Sequence, residues 1–273
     1  MINLNFKYKS LSNELKSQLN FSPDLALILG SGLGDFIKKV TTIKSINTSS
    51  LNGYPHSTIS GHEGKIHYAK FSEKNLLIFQ GRIHLYEGYH ISECILPIFI
   101  SKILNAKYVL LTNAAGGINP FFKPGDLMLI NSFNSISIKK ELTELIGVPS
   151  FEGKNNFFNF PFISFNETIK KAAIEEKINL KEGNYWYTKG PSYETPAEIK
   201  MIAKFGGDAV GMSTVHEAVY SSYLGLKTAS ISCITNYAAG ISDSKLNHAE
   251  VTETANKVKD KFERLVKRII SLL

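Results

Sequence analysis

Short, continuous apolar runs alternate with longer amphipathic stretches along this chain. Five of the apolar runs are Leu25–Leu29, Leu76–Phe79, Tyr108–Thr112, Asp208–Met212 and Thr228–Thr235. Most of their apolar residues follow one another directly instead of alternating with polar ones, and this pattern is typical of strands buried on both faces. The pattern therefore predicts an α/β fold in which a central sheet is covered by helices.

Helices are predicted between the strands and at the end of the chain. Thr195-Pro-Ala-Glu198 combines an N-cap, a first-turn proline and a capping-box glutamate. Thr214-Val-His-Glu217 is a second candidate capping box, and its helix should end near Gly225. From Glu250 onward, apolar residues recur at helical spacing with lysines opposite them, which predicts a C-terminal helix packed on the sheet.

Composition and length fit one globular domain. The chain has 273 residues, of which 43% are hydrophobic and 20% charged, and it contains neither an internal repeat nor a linker-like segment. We therefore expect a single domain over residues 1–273. Cys94 and Cys233 lie in apolar contexts, so we expect both thiols to be reduced and buried.

Charge and hydropathy restrict the partners. The net charge of +7 comes from dispersed lysines without a nucleic-acid-binding motif, so no nucleic-acid partner is expected. The N-terminus lacks the features of a signal peptide, and the apolar runs are shorter than the roughly 18 residues that a membrane span needs. We expect a cytoplasmic protein that does not bind a membrane.

Candidate chemistry follows the predicted strands, where open α/β sheets bind ligands. Polar or glycine-rich turns occur at 30–34, 81–88, 113–117, 190–196, 211–213 and 235–236. Each of them alone also fits an ordinary turn, cap or strand end. The seven histidines show no metal-binding spacing, so no metal site is expected.

Several of these turns have residues suited to an anion. Gly30-Ser-Gly-Leu-Gly34 can point backbone N–H groups and the Ser31 hydroxyl at a phosphate, although its spacing matches neither a Walker A loop nor the dinucleotide fingerprint. Arg82, His84 and Tyr86 share one face if this segment is extended. Ser213 lies at a predicted helix start, which is another favourable anion position.

Other turns have residues suited to a flat heterocycle. The ring of Tyr193 can stack on a base, and the carboxylate of Glu194 can accept hydrogen bonds from ring N–H groups. The amide of Asn236 offers both a donor and an acceptor to a base edge that carries a carbonyl and a ring nitrogen.

Taken together, the segments resemble the trimeric class of purine nucleoside phosphorylases. The matching segments are Leu-Gly-Ser-Gly-Leu-Gly (29–34), Gly-His-Glu-Gly (61–64), Gly-Arg-Ile-His-Leu-Tyr-Glu-Gly-Tyr (81–89), Thr-Asn-Ala-Ala-Gly-Gly (112–117), Gly-Pro-Ser-Tyr-Glu-Thr (190–195), Gly-Met-Ser-Thr-Val (211–215), Ile-Thr-Asn (234–236) and Asn-His-Ala-Glu-Val (247–251). The resemblance implies a single α/β domain with a twisted, mixed, partly barrel-like sheet flanked by helices. It also implies a homotrimer that uses inorganic phosphate as co-substrate and no metal or organic cofactor.

The resemblance also assigns roles to residues. It implies that phosphate is held by Ser31, His62, Arg82, His84, the backbone of Ala114, and Ser213. It implies that the nucleoside is held by Tyr86, Met212 and His248 at the ribose and by Tyr193, Glu194 and Asn236 at the base. The residues expected to act in catalysis are Asn236, Glu194, His84 and His248.

The implied reaction is the reversible phosphorolysis of purine nucleosides to free base and (deoxy)ribose 1-phosphate, as in purine salvage. Phosphate is the nucleophile, so the protein has to position it and to stabilise charge on the departing base. Asn236 would bind N7 and O6, Glu194 would bind N1–H, and His248 would bind the 5′-hydroxyl. Related methylthioadenosine phosphorylases have Asp at the position of Asn236, so Asn favours 6-oxopurines such as inosine and guanosine. The alternatives are a methylthioadenosine or xanthosine phosphorylase and a nucleoside-binding protein without turnover.

Two features depart from the family pattern. His216 occupies a position where the family commonly has Pro. The segment 147–165 is shorter than in many members and has six phenylalanines, which predicts either an exposed aromatic loop or core packing. Phe157 and Phe158 are candidates for the residue that closes a neighbouring subunit's ribose site.

Overall fold

A computed structural model describes residues 2–18, 22–58, 63–242 and 248–273, without the side chains of 248–253, 255 and 256. The strands are β1 (Leu25–Leu29), β2 (Thr41–Asn47), β3 (Lys65–Phe71), β4 (Lys74–Gln80), β5 (Tyr108–Gly117), β6 (Leu127–Asn134), β7 (Leu180–Tyr187), β8 (Ala209–Gly211) and β9 (Lys227–Tyr237). The helices are α1 (Leu4–Lys7), α2 (Lys9–Ser17), α3 (Ile91–Cys94), α4 (Leu96–Ile103), α5 (Lys139–Ile146), α6 (Phe151–Phe158), α7 (Ile163–Glu175), α8 (Pro196–Lys204), α9 (Val215–Tyr223) and α10 (His248–Leu272).

The strands form one mixed sheet that closes partly on itself. Their order is β2-β3-β4-β1-β5-β8-β7-β6-β9, and β9 also pairs with β5. This extra pairing makes β5, β8, β7, β6 and β9 a closed ring, while β2, β3, β4 and β1 extend from it as an open sheet. The result is the predicted single α/β domain with a mixed, partly barrel-like sheet.

Alternating side chains of β1 explain the helix layers on both faces of the sheet. Ala26 and Ile28 belong to one buried apolar cluster, while Leu25, Leu27 and Leu29 belong to another. Since successive side chains of a strand point to opposite faces, an all-apolar strand requires cover on both sides. Helices α4 and α9 contribute to the first cluster, and α7 and α10 to the second.

The five predicted strands are confirmed, although β4, β5 and β9 are longer than predicted and β8 is shorter. The predicted turn after Thr112 is wrong, because β5 continues through Asn113 to Gly117 and pairs there with β8 and β9. Likewise, β9 continues past Thr235 to Tyr237. Small residues at the end of β5 let the neighbouring backbones approach closely, and a Cβ added at Gly117 would lie 2.9 Å from Ile234 Cγ2.

The helix signals had mixed outcomes. The capping box of Thr195 and Glu198 at the start of α8 is confirmed, and so are the C-terminal helix and the end of α9 before Gly225, whose φ is +73°. The second capping box is wrong: the Thr214 side chain does not cap α9, and the carboxylate of Glu217 binds a distant arginine instead.

The aromatic segment is mostly helical, in α6 and the start of α7, and residues 159–162 connect the two helices. Neither of the two predicted alternatives, an exposed loop or core packing, describes it alone. Phe151 and Phe158 lie at the two ends of α6 and are both 81% exposed. Phe165, on α7, is fully buried, and Phe157 packs against Phe133 at a centroid distance of 6.3 Å. The segment therefore combines core packing with an exposed aromatic surface.

Both cysteine thiols are free and buried, as predicted. Within the described residues, none of the helices combines the length and apolarity that crossing a bilayer would require.

Candidate functional site

A cavity of about 560 Å³ opens at one edge of the sheet. Strands β4, β1, β5 and β9 are parallel neighbours, so their carboxyl ends meet at this edge. The polar lining residues are Ser31, Thr58, Arg82, His84, Tyr86, Asn113, Tyr193, Glu194, Ser213, Thr235 and Asn236, and the other lining residues include Ala114 and Met212.

Arg82, just after β4, is held from two sides at one end of this cavity. Its Nε donates to Glu217 Oε2 at 2.9 Å, and its Nη1 donates to the Thr112 carbonyl oxygen at 2.9 Å. The side chains of Arg82 and Glu217 are 1% and 0% exposed. Burial raises the pKa of Glu217, while the Arg82 charge opposes this effect. The guanidinium is therefore a fixed cation at the cavity wall, which suits an anionic ligand.

His84 is oriented by a carboxylate three residues later. Glu87 Oε1 lies 3.0 Å from His84 Nδ1 and accepts a hydrogen bond from the His84 backbone N–H at 2.8 Å. Glu87 Oε2 accepts from the backbone N–H and the hydroxyl of Thr58. Burial alone would raise the Glu87 pKa, but these hydrogen bonds outweigh it and lower the pKa to about 2. The carboxylate at Nδ1 thus fixes the orientation of the His84 ring, which lines the cavity.

The turns containing Ser31 and Ser213 are both attached to β5. The Gly30 N–H donates to Thr112 Oγ1 at 3.1 Å, and a Cβ at Gly30 would lie 2.7 Å from Asn113 Cα, so this close approach needs glycine. On the other side, Asn113 Nδ2 donates to Thr214 Oγ1 at 2.9 Å. Thr214 has a φ of +74°, a strained conformation of the kind that functional turns retain. These contacts tie both turns to Thr112 and Asn113 of β5, the stretch whose Thr112 carbonyl also binds Arg82.

Tyr86 and Met212 also line the cavity. The predicted extended segment ends at His84, since Leu85–Glu87 forms a 3-10 turn, yet Arg82, His84 and Tyr86 all line the cavity. Tyr86 stacks on His84, with a centroid distance of 4.7 Å. Gly190 has a φ of +67°, and a Cβ there would lie 2.5 Å from Met212 Sδ, so both the backbone and the packing favour glycine.

Asn236 lies away from Arg82 along β5, because it pairs with Gly116 whereas Arg82 binds the carbonyl oxygen of Thr112 four residues earlier. It marks the other end of the cavity, whose lining also has a carboxylate and an aromatic ring. Asn236 Oδ1 accepts from Thr235 Oγ1 at 2.9 Å, and Asn236 Nδ2 donates to the Tyr237 carbonyl oxygen at 2.9 Å. Thr188 Oγ1 donates to Glu194 Oε1 at 2.5 Å. The Tyr193 ring is 44% exposed at the entrance. Fixed donors and acceptors beside an aromatic ring can recognise the edge and the face of a planar heterocycle.

His216 does not line the cavity, although it is a neighbour of Glu217 in the sequence. It is completely buried, and its ring lies edge-on to Tyr187 at 6.0 Å. Within the part of the chain that the structure describes, neither ring nitrogen has a hydrogen-bond partner. Burial, with the nearby charges of Arg82 and His84, lowers its pKa to about 3, so His216 is neutral.

The structure brings most of the predicted site residues together. Those that line the cavity are Ser31, Arg82, His84, Tyr86, Ala114, Tyr193, Glu194, Met212, Ser213 and Asn236. His62 lies outside the described residues, and so does the side chain of His248, the first residue of α10. Throughout the described residues, no three potential metal-ligating side chains form a group.

The sequence analysis missed the residues that hold the lining side chains in place. Glu217 is the clearest case, because α9 is buried along nearly its whole length and a carboxylate on such a helix needs a cation. Glu87 also had a signal: His84-Leu-Tyr-Glu87 is a capping-box pattern with His at the N-cap. Thr58 and Thr188 had no signal that distinguishes them from surface threonines.

Comparison with known proteins agrees with the geometry. A family model described as the phosphorylase superfamily matches residues 24–271. Purine nucleoside phosphorylase 1 of Geobacillus stearothermophilus is 39% identical over 264 residues, which cover 94% of this chain and 93% of that protein.

Solved structures give the same result for the fold. Isoform 2 of the Schistosoma mansoni purine nucleoside phosphorylase, in complex with cytosine and ribose-1-phosphate, superposes with a TM-score of 0.88 at 31% identity and covers 99% of this chain and 98% of that one. The S. mansoni purine nucleoside phosphorylase in complex with inosine has a TM-score of 0.85 at 28% identity, with coverage of 100% and 98%. The chain therefore belongs to the phosphorylase superfamily, among its purine nucleoside phosphorylases.

Proposed function

We propose that this chain catalyses the reversible phosphorolysis of 6-oxopurine nucleosides. Inosine, guanosine and their deoxy forms would react with inorganic phosphate to give the free base and (deoxy)ribose 1-phosphate. The observation that carries the proposal is that one cavity is lined by the fixed Arg82 cation, which binds β5 at Thr112, and by the Asn236 amide, which lies beside Gly116 four residues further along β5. The carboxylate of Glu194 lines the same cavity. The reaction serves purine salvage, and its proposed setting is the cytoplasm, with residues 1–273 as one phosphorylase domain.

The phosphate would lie at the Arg82 end. Arg82, His84, Ala114, Ser31 and Ser213 all line this cavity, Ala114 from β5 and the others from segments that adjoin strands. Such a set of donors can bind several phosphate oxygens and hold one of them beside the anomeric carbon, which lowers the entropic part of the barrier. The family resemblance adds His62 to this group.

The purine would lie at the opposite end, with its ring against Tyr193. Phosphorolysis passes through an oxocarbenium-like ribosyl group, so negative charge builds on the departing base. Asn236 would donate to N7 and stabilise that charge, while Glu194 would accept from N1–H. Tyr86 and Met212 would contact the ribose between the two ends, and His248 would bind its 5′-hydroxyl.

The proposed functional unit is a homotrimer. The exposed rings of Phe151 and Phe158 at the ends of α6 support a subunit interface, because large exposed aromatic side chains commonly mark contact surfaces. In such an assembly Phe158, or its neighbour Phe157, would close the ribose site of the adjacent subunit.

The experiment that tests the proposal compares one variant at each end of the cavity. Asn236→Asp should lower kcat for inosine by about 10²–10³-fold and raise the relative turnover of adenosine, because a carboxylate accepts from a 6-amino group and repels O6. Arg82→Lys retains a charge beside Glu217 but loses the planar fork, so the KM for phosphate should rise at least about tenfold. An unchanged nucleoside preference in the first variant, or an unchanged phosphate KM in the second, would contradict the assignment.

A further inference from the structure

Thr188 contacts the proposed base-binding carboxylate from behind the cavity wall. It directly follows β7, and its backbone N–H donates to the Gly211 carbonyl oxygen of β8 at 3.0 Å. Its hydroxyl donates to Glu194 Oε1 at 2.5 Å, while Thr188 itself is not among the residues that line the cavity. The sheet thus fixes Thr188, and Thr188 in turn fixes one oxygen of Glu194.

The chemistry of the two expected bases makes this contact relevant to specificity. Hypoxanthine offers a carboxylate one donor, N1–H, whereas guanine adds the 2-amino group beside it. A carboxylate with both oxygens available can accept from both donors of guanine, one at each oxygen. When a hydroxyl from the protein already occupies one oxygen, the second donor of guanine finds a weaker acceptor.

We propose that Thr188 is a positioning residue for Glu194 and a determinant of the choice between inosine and guanosine. Its hydroxyl holds Oε1 on the side of β7 and leaves Oε2 to accept from N1–H of the base. This arrangement favours the base with a single donor at that edge, so inosine is the preferred substrate. The inference rests on the proposed function, because it assumes that Glu194 binds the purine.

A pair of substitutions separates the hydroxyl from the shape of the side chain. Thr188→Val retains the shape and removes the donor, whereas Thr188→Ser retains the donor. In Thr188→Val, kcat/KM for inosine should fall about tenfold, the usual effect of losing a hydrogen bond to a charged group. The value for guanosine should fall less than threefold, because the freed Oε1 becomes available to the 2-amino group. The ratio of kcat/KM for guanosine to kcat/KM for inosine should therefore rise at least about threefold. The change should come from the KM values of the nucleosides, and the KM for phosphate should stay unchanged.

The Ser variant and a folding measurement complete the test. Thr188→Ser should keep the wild-type substrate ratio, and all variants should have the far-UV circular dichroism of the wild type. Equal losses for both nucleosides in Thr188→Val, or the same ratio change in Thr188→Ser, would overturn the inference while leaving the proposed function intact. Absence of phosphate-dependent turnover of both nucleosides by the wild-type protein would overturn the proposed function and, with it, this inference.

Discussion

The buried ion pair of Arg82 and Glu217 offers the sharpest test of how the site is built. We consider Glu217→Gln, which retains the size and a hydrogen-bonding side chain but removes the charge. In the native chain these two side chains are 1% and 0% exposed and 2.9 Å apart. The substitution leaves the Arg82 cation buried beside a neutral amide and the Thr112 carbonyl oxygen.

The expected cost is large because the Arg82 side chain is only 1% exposed, so water solvates the remaining charge poorly. Removing one partner of a buried pair typically costs about 3–5 kcal/mol of the free energy of unfolding. The same change at an exposed pair costs about 0–1 kcal/mol, and Lys38 with Asp35 is such a pair at the surface. In an Arg82→Met background, Glu217→Gln neutralises a carboxylate that has already lost its cation, so its cost should be close to zero. The predicted coupling energy is therefore about 3 kcal/mol.

Urea unfolding of the wild type, both single variants and the double variant measures this coupling directly. Phosphate provides a second readout, because a bound anion can pair with the Arg82 charge that Glu217→Gln leaves unpaired. We expect saturating phosphate to raise the urea concentration at the unfolding midpoint more for Glu217→Gln than for the wild type. Additive effects of the two substitutions, or a loss below about 1 kcal/mol for Glu217→Gln, would refute the reasoning.

Three further predictions concern acid stability, a buried histidine and assembly. The pKa of Glu87 is about 2 instead of 4.5, so its stabilising contribution is present above pH 4.5 and lost as the pH falls toward 2. In Glu87→Gln, the free energy of unfolding from urea titrations should therefore vary less with pH over this window. The same pH dependence as in the wild type would contradict this prediction. His216 has a pKa of about 3 instead of 6.5, so stability falls as the pH drops below 6.5 and the unfolded chain takes up a proton. His216→Leu should remove this pH dependence and raise the free energy of unfolding by about 1 kcal/mol at pH 7. The control His56→Leu, at an exposed position, should do neither. A lower free energy of unfolding in His216→Leu would count against this prediction. Light scattering should show a trimer that Phe158→Ser weakens, and a fully active monomer would argue against a shared site.

The sequence predicted strands best where the chain is buried on both faces. The runs that form β1, β4 and β5 each contain at least three apolar residues in succession, and this signal does not depend on distant partners. Strand β2 was not predicted, because only Ile46 of its seven residues is buried and its conformation comes from pairing with β3. An edge strand of this kind is defined by hydrogen bonds to a neighbour, which apolar patterning does not record.

In the site, too, local sequence patterns predicted some residues, whereas contacts with distant segments could not be predicted. Arg82, Glu194 and Asn236 could be predicted because they occur in strand-end motifs that are visible as short segments. Their supporting contacts are partly long-range: Glu217 is 135 positions from Arg82, so no local pattern identifies which cation pairs with it. Glu217 was instead interpreted as a helix cap, since Thr-x-x-Glu fits a capping box equally well until the fold places an arginine beside it.

The most direct test of the account is whether the cleavage of a nucleoside depends on phosphate. Purified protein is incubated with inosine in a phosphate-free buffer and again with inorganic phosphate, and the release of hypoxanthine is followed with time. Our account predicts release only with phosphate, together with an equal amount of ribose 1-phosphate. Release of hypoxanthine and free ribose without phosphate would indicate a hydrolase and would contradict the roles proposed for Ser31, Arg82 and Ser213.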